Sequence, residues 1–489
     1  MSSFIRKVKT KSGATAVQVV YKHGRKVVRI VHIGSAHNNT ELKILLALAH
    51  EKMHEGQLCF NLPHNNSLEL CLEKSYSGLL WDTLSHVYSN LGFELIADPV
   101  FRQLVLASIV EPTSKLDTIR VLSKLGLDAP SNSSIHRCLR RVIDNGYRVI
   151  LSQACYRNVS PSSLRLVLYD VTTLYFEVDK DDGYRRPGLS KERRLEPQIM
   201  VGLLVDQAGF PLELQSFEGN RAEVKTILPV LKGFKERHGL KNITVTADAA
   251  MLSAQNISAL EQLGYHYIIG SRLSKTPYEI EEYLAEEGAV LKDGQIFDSC
   301  IVVTVDGKKT KRRVIYQYRQ KRAALDLSNI DKTLAKAKSI VEKKADIKRN
   351  RFLKINETRR EINYALVNEA CRKAGIKGYV TDLDIAPQQV IDSYHQLFEV
   401  EKSFKMSKSD LKARPIYHHK RDSIEAHLTV VFAALAVARH IEAATGVSIK
   451  KFIRMLEPFR TGVISVNGTS YPVKPRIPDE AVALISLLK

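Results

Sequence analysis

Acidic side chains are scarce for a chain of this size: 53 Asp and Glu stand against 73 Lys and Arg among 489 residues, leaving a formal net charge of +20. An imbalance spread this widely excludes a single basic tail and implies an extended polyanionic partner, nucleic acid first and a membrane surface second. Paired cysteines are missing as well. Cys59, Cys71, Cys138, Cys155, Cys300 and Cys371 lie far apart, which argues against a zinc module or a disulfide framework and fits a reducing cytoplasm. Internal repeats and low-complexity tracts are absent. Residues 1–38 hold no apolar signal core, so export is not expected. The most apolar run, AHLTVVFAALAVARHIE, is bracketed by Glu425, His427, Arg439 and His440. It reads as a buried helix, and no membrane partner is expected. What is present, 44% apolar content over this length, suffices for a large core and two to four domains.

The opening FIRKVKTKSGATAVQVVYKHGRKVVRIVHIG alternates polar and apolar residues around two glycine turns, which predicts a basic β-meander over 1–38. From 39 to 160 the period becomes helical, with starts expected at Asn39 or Thr40, at Asp98 and at Ser131 to Ser134. This region reads as a helical DNA-binding region. SNSSIHRCLRRVIDNG opens on hydroxyl caps and carries Arg137, Arg140 and Arg141, in the manner of a helix laid in a groove. A basic outer helix of an ordinary bundle has the same pattern.

SLRLVLYDVTTLYFE reads as a buried strand with Asp170 in its middle. An acid there is costly unless it is paired or binds a metal. QIMVGLLVD and FPLELQSFE, joined by QAGF, form a hairpin; RAEVKTILPVLKGFKERHG is a helix, NITVTADAA a strand ending at Asp248, SAQNISALEQLG a helix and YHYIIGS a strand. This order is that of the ribonuclease H-like fold, in which the first and fourth strands are neighbours. Asp170 and Asp248 then meet, and two like charges that close need a cation. The pattern breaks over 276–377, strand-like around a Gly turn and then one highly charged helix, which looks like an insertion within the fold. The fold resumes over 378–445, and 446–489 is a tail without an assignment. The expected class is therefore α/β, with a mixed five-stranded core sheet in two parts, 161–275 and 378–445.

In YHQLFEVEKSFKMSKSDLKARP, a helix at about 100° per residue brings Tyr394, Glu401 and Lys408 to one face. Leu397, Val400 and Phe404 form the apolar stripe beside it, and Glu399 points away to solvent. An ordinary surface helix with Glu401 paired to Lys405 fits this segment taken alone. His418 and His419, being adjacent, point to different sides of any regular element and are expected at the surface, not on a metal.

Tyr394, Glu401 and Lys408 occupy the spacing Tyr, two residues, Arg, three residues, Glu, six residues, Lys. With LYDVTTLYFE, VTADAAMLSAQN and IEAHLTVVFAALAVAR in the same order, the chain resembles the DDE transposases of bacterial insertion sequences from about Leu166 to His440, and EPTSKLDTIRVL extends the likeness. Two positions depart from the pattern: Leu397 stands where the signature has Arg, and Ala249 and Ala250 follow Asp248 where many relatives have Arg or Gly.

The resemblance implies that Asp170, Asp248 and Glu401 bind two divalent ions, Mg²⁺ or Mn²⁺, as catalytic and metal residues, and that a mostly β insertion domain over 276–377 lies between Asp248 and Glu401. It implies a protein that cuts double-stranded DNA at terminal inverted repeats and joins the freed 3′-OH ends to target DNA, as a homodimer in the synaptic complex. Tyr394 and Lys408 are expected to hold terminal phosphates, and Lys405, Lys412 and Arg414, with Lys402, to contact the DNA backbone. The expected location is the bacterial cytoplasm, at the nucleoid when DNA is bound. A ribonuclease H-like nuclease without strand transfer, and a silent DNA-binding relic, remain compatible with the same residues.

Overall fold

The computed structural model describes all residues except 1, 11–12, 25, 54–69, 161–165, 177–180, 189–195, 240–242, 250–252, 272, 274, 306–307, 343–348, 356–359, 415, 417, 467–468 and 489. Cys59 and Ala250 thus lie outside the described residues. Contacts divide the chain into two units, Met1–Glu69 and Leu70–Lys489.

The first unit is an antiparallel meander of β1 (Ser2–Lys9), β2 (Thr15–His23) and β3 (Lys26–Ala36), followed by α1 (Asn39–Met53). Asn38 accepts from the Glu41 amide while the Glu41 carboxylate accepts from the His37 amide, which fixes the helix start near Asn39. Leu42, Leu45 and Leu46 recur at helical spacing and pack with Ala49 on Val17 and Val19 of β2. The helix therefore belongs with the meander, and the boundary expected between 38 and 39 falls inside one small core.

The second unit opens with β4 (Leu70–Tyr76) and the helices α2 (Gly78–Asn90), α3 (Pro99–Val110), α4 (Thr118–Lys124), α5 (Asn132–Asp144) and α6 (Tyr147–Arg157). Asp98 caps α3 by accepting from the Val100 and Phe101 amides, and Ser131 caps α5 by accepting from the Ser134 amide. Then come β5 (Leu166–Tyr175), β6 (Gln198–Val205), β7 (Pro211–Glu218), α7 (Ile227–His238), β8 (Thr244–Ala247), α8 (Ala254–Gln262) and β9 (His266–Ser271). The turn of the β6–β7 hairpin is closed by Asp206, which accepts from the Ala208 and Phe210 amides, with Gly209 at φ 80°.

Beyond β9 the chain runs through α9 (Tyr278–Ala285), β10 (Ile296–Val305), β11 (Lys308–Tyr318), α10 (Gln320–Val341), β12 (Leu353–Ile355), β13 (Arg360–Ile362), α11 (Tyr364–Arg372) and β14 (Ile376–Thr381). It finishes with α12 (Pro387–His395), α13 (Phe398–Lys405), α14 (Arg421–Thr445), α15 (Ile449–Leu456), β15 (Thr461–Val466), β16 (Thr469–Val473) and α16 (Asp479–Ser486).

One mixed sheet organises this unit, in the order β10-β11-β14-β9-β8-β5-β6-β7. β8 runs parallel to both β5 and β9, so the first and fourth core strands are neighbours as the element order predicted. The sheet has eight strands, not five. β10 and β11, the two long strands of the expected insertion, extend this sheet through β14, and the described residues of 276–377 also carry α9, α10 and α11. Alternation along β5 sends Val167, Tyr169 and Val171 to the face covered by α7 and α8, and Leu166 and Leu168 to the face where α14 lies. α14 is long and apolar enough to cross a membrane, yet 83% of its most apolar window is buried inside the protein, as its charged flanks predicted. The unassigned tail packs α15 on α14 and pairs β15 with β4.

Candidate active site

The site starts from strand register. β5 and β8 pair in parallel through Leu166 with Thr244, Val167 with Val245, Leu168 with Thr246 and Tyr169 with Ala247. The next residues on the two chains are Asp170 and Asp248. Parallel neighbours stand about 5 Å apart across the ladder, and Tyr169 and Ala247 both face the α7 and α8 side. The two acids therefore turn together to the opposite side, where α12 packs on β8 and β9, and α13 on β5. Asp170 is half-buried and Asp248 exposed.

Tyr394 ties the helical layer to this pair. Its ring is buried and meets Tyr379 of β14 edge-on, with centroids 4.9 Å apart, and its hydroxyl donates to Asp248 Oδ1 at 3.2 Å. The same oxygen accepts from the Ala249 amide at 2.7 Å. Room for the tyrosine comes from Gly270 in β9, where a Cβ would sit 2.7 Å from the hydroxyl oxygen. Burial, then the negative charge of Asp248 and, further down, that of Asp170, push the phenol above its ordinary value, so it stays a neutral donor. The Lys377 ammonium of β14 lies 4.3 Å from the Tyr394 ring centroid. Burial and Arg322 lower its pKa, while Asp248 and Glu401 act the other way, which places both acids within its electrostatic reach.

Asp248 and Tyr394 line a cleft of about 650 Å³ whose other wall is basic: Arg322 from α10, Arg351, Lys373 and Lys377. The sequence reading missed these four. They are scattered over 56 positions of an irregular segment, and only the joining of β11 and β14 to the core sheet brings them to Asp248.

The helix carrying Glu401 differs from the expectation. α12 ends at His395, a tight turn follows in which the Leu397 amide donates to Tyr394 O and the Val400 amide to Leu397 O, and α13 ends in a π-helical turn, Met406–Asp410. The helix is thus interrupted twice between Tyr394 and Asp410, and along it Tyr394 is buried, Glu401 exposed and Lys408 half-buried. Leu397, Val400 and Phe404 are core residues, as the apolar stripe predicted. Leu397 is only 8% exposed, so an arginine head group has no place at that position. Glu399, expected to point to solvent, is half-buried and ion-paired. It bonds Lys402 at 2.6 Å and Arg439 of α14 at 2.9 Å; burial raises its pKa, but these two cations hold it below the usual range.

Lys405 and Lys412 are exposed, and the Arg414 guanidinium lies 5.1 Å from the Tyr175 ring centroid. On α5, Arg137 bonds Ser134, Arg140 is exposed, and Arg141 grips the buried carboxylate of Asp98 at 2.7 and 2.9 Å, a structural partner that the sequence reading did not foresee. His419 is exposed, but His418 is half-buried against His427 of α14, with ring centroids 5.6 Å apart, contrary to the surface placement expected for both.

Among the described residues no group of three His, Cys, Asp or Glu side chains is drawn close enough to hold a metal ion. The five described cysteines are free. The paired aspartates nevertheless offer hard oxygen donors side by side, which suits Mg²⁺ and not a soft-metal site.

The sequence matches the family model described as Transposase DDE domain over residues 161–437, more than half of the chain. No curated protein matches it. Among solved structures, it is similar to the cryo-EM structure of a piggyBac transposase synaptic complex with hairpin DNA, at 12% identity and a TM-score of 0.42, over 80% of this chain and 82% of that one.

Proposed function

Since this chain belongs to the transposase DDE-domain family, we propose that it cuts DNA at the ends of its own element and transfers the freed 3′-OH ends to target DNA. The observation that carries this reading is the register of β5 and β8, which sets Asp170 level with Asp248 on one face of the sheet. In this reading Asp170 and Asp248 hold Mg²⁺ or Mn²⁺, and Glu401 reaches in from α13 to complete the set. When bound, two such ions stabilise the attacking and leaving oxygens of an in-line phosphoryl displacement.

The chain's own residues do the rest. Tyr394 donates to one oxygen of Asp248 and so fixes its orientation. Lys377 and Arg322 meet the phosphates of a strand lying in the cleft, and Lys408, on the π-helical turn after α13, holds a terminal phosphate. Lys405, Lys412, Arg414, Arg137 and Arg140 serve as backbone contacts, which fix position on the duplex without reading its sequence. Synapsis of two ends calls for at least a dimer.

The test is cleavage of DNA carrying the element's ends, comparing the wild type with Asp170→Asn, Asp248→Asn and Glu401→Gln. Mg²⁺- or Mn²⁺-dependent nicking at the boundary that disappears in each variant, with binding retained, supports the reading. End binding without any cleavage by the wild type identifies a silent relic, and cleavage that survives Glu401→Gln means that another residue is the third acid.

A further inference from the structure

Charge in the first unit has one sign at its start. Residues 1–40 hold eight Lys and Arg and no Asp or Glu. The first acid, Glu41, is engaged at the start of α1, where it accepts from the His37 amide and the Asn38 side chain. A sheet built from such a segment meets a polyanion without any acid of its own to repel it.

Alternation divides the two faces of that sheet. Val17 and Val19 of β2 pack with α1, so Gln18 and Val20 turn to the opposite, outer face. Register sets two cross-strand rows there, Arg6 with Gln18 and His32, and Phe4 with Val20 and Ile30. Arg6 and His32 are exposed, and Phe4 and Ile30 stay 39% and 49% exposed at the two ends of the apolar row. The Lys22 ammonium lies 4.9 Å from the Phe4 ring centroid. Between Arg6 and His32, Gln18 is half-buried, and its Oε1 has no hydrogen-bond partner among the described residues. An amide in that state calls for a polar ligand, which the interior of a lipid surface does not supply.

The dimensions suit duplex DNA. Two strand spacings set β1 and β3 about 10 Å apart, within a major groove about 12 Å wide that admits strands as it admits a helix. The polar row matches base edges in kind: an arginine suits guanine O6 and N7, a glutamine suits adenine N6 and N7, and an apolar row suits thymine methyl groups.

We propose that the outer face of the β1, β2 and β3 sheet reads the sequence of the element's ends from the major groove, with Arg6, Gln18 and His32 at base edges and Phe4 and Ile30 against thymine methyls. The assignment rests on the reading of the chain as a DNA-cutting enzyme. It supplies the sequence discrimination that contacts to the DNA backbone do not.

The experiment is DNA binding by the full chain in EDTA, followed by fluorescence anisotropy, on a duplex carrying the element's end and on a scrambled duplex of the same composition. Arg6→Gln and Gln18→Ala are each expected to weaken binding to the end duplex on the order of 10-fold, with little change on the scrambled one. Lys43→Gln, on the exposed side of α1, controls for lost charge and is expected to keep the wild-type ratio between the two duplexes. A wild-type ratio in both Arg6→Gln and Gln18→Ala overturns the proposal. Equal losses on both duplexes mark a surface that touches only the backbone and overturn it too, as does equally tight binding of the single strand. Should Gln18→Ala disturb the central strand, the exposed Arg6 and His32, as Arg6→Gln and His32→Ala, carry the test. Variants that keep the ratio but lose binding to vesicles containing phosphatidylserine mark a membrane surface and overturn the assignment to DNA. A wild type that binds neither duplex refutes the transposase reading itself. End preference that survives all three sheet variants refutes only the reading face.

Discussion

Replacing Gly270 with alanine probes the contact that ties Tyr394 to Asp248. The new Cβ would lie 2.7 Å from the Tyr394 hydroxyl oxygen, 3.2 Å from Cζ and 3.3 Å from the Ala249 amide nitrogen. Ordinary contact begins near 3.4 Å, so the hydroxyl must retreat by about 0.7 Å. The ring is buried between Tyr379 and Lys377 and has little room to move. Overpacking of this kind costs about 1–3 kcal/mol, and the retreat breaks the hydrogen bond to Asp248. Tyr394→Phe alone removes only that bond, to an exposed carboxylate that water can serve instead, for about 0.5–1.5 kcal/mol. Phenylalanine also lacks the atom that the Cβ meets first. The double variant should therefore be more stable than Gly270→Ala alone by about 1 kcal/mol, a coupling within the range for residues in contact. Thermal unfolding of the four proteins, read at the transition of the larger unit, measures it. Strictly additive losses would falsify the geometry, because they mean that Gly270 and Tyr394 do not compete for the same space.

Asp98→Ala removes the cap of α3, about 1 kcal/mol, and leaves the buried Tyr147 hydroxyl and Arg141 without their acceptor, for about 2–4 kcal/mol in all; a chemical-denaturation midpoint unchanged from the wild type would count against the network. Glu425 of α14 accepts from Tyr184 and Ser216 and pairs with Arg148 at 2.7 Å; burial raises its pKa, but Arg148 and those hydroxyls bring it below the usual value. Its stabilisation is thus present above about pH 4.3 and lost as the pH falls through the lower folded value. Arg148→Met strands the carboxylate, at about 3–5 kcal/mol near neutral pH, and should reverse the trend, with part of the loss recovered on acidification; denaturation curves across pH that keep the wild-type shape would exclude this. Leu397→Arg restores the signature residue of the resembling subgroup but puts a guanidinium at a core position, so a loss of about 2–5 kcal/mol with no gain in DNA-end affinity is expected. Tighter end binding by a stable variant would show that the position can open to DNA.

Much of the local structure was legible in the sequence because short-range chemistry sets it. Asp98 and Ser131 announced two helix starts, and the QAGF turn announced a hairpin. The neighbouring of the strands that lead into Asp170 and Asp248 followed from element order, since β6 of the hairpin takes one edge of β5 and leaves the other to β8. What was missed is non-local. Periodicity cannot see the turn at Gln396 and Leu397 or the π-helical turn after Lys405, because the same apolar spacing persists on both sides. Arg141 reads as a groove contact until Asp98, 43 positions away, is seen to hold it. The basic wall of Arg322, Arg351, Lys373 and Lys377 becomes one surface only through strand pairing across the insertion.

That pairing also decides what can be cut away. Because β11 lies on β14 along six residue pairs, excising the insertion up to residue 375 would strip the central sheet to an open edge with its amides and carbonyls unpaired. A shortened chain meant to retain only the paired acids would recruit strands from its neighbours in solution, and its aggregation would reflect an uncovered ladder and not a misfolded core. Minimal versions of this chain therefore need a capping strand in place of the segment they lose.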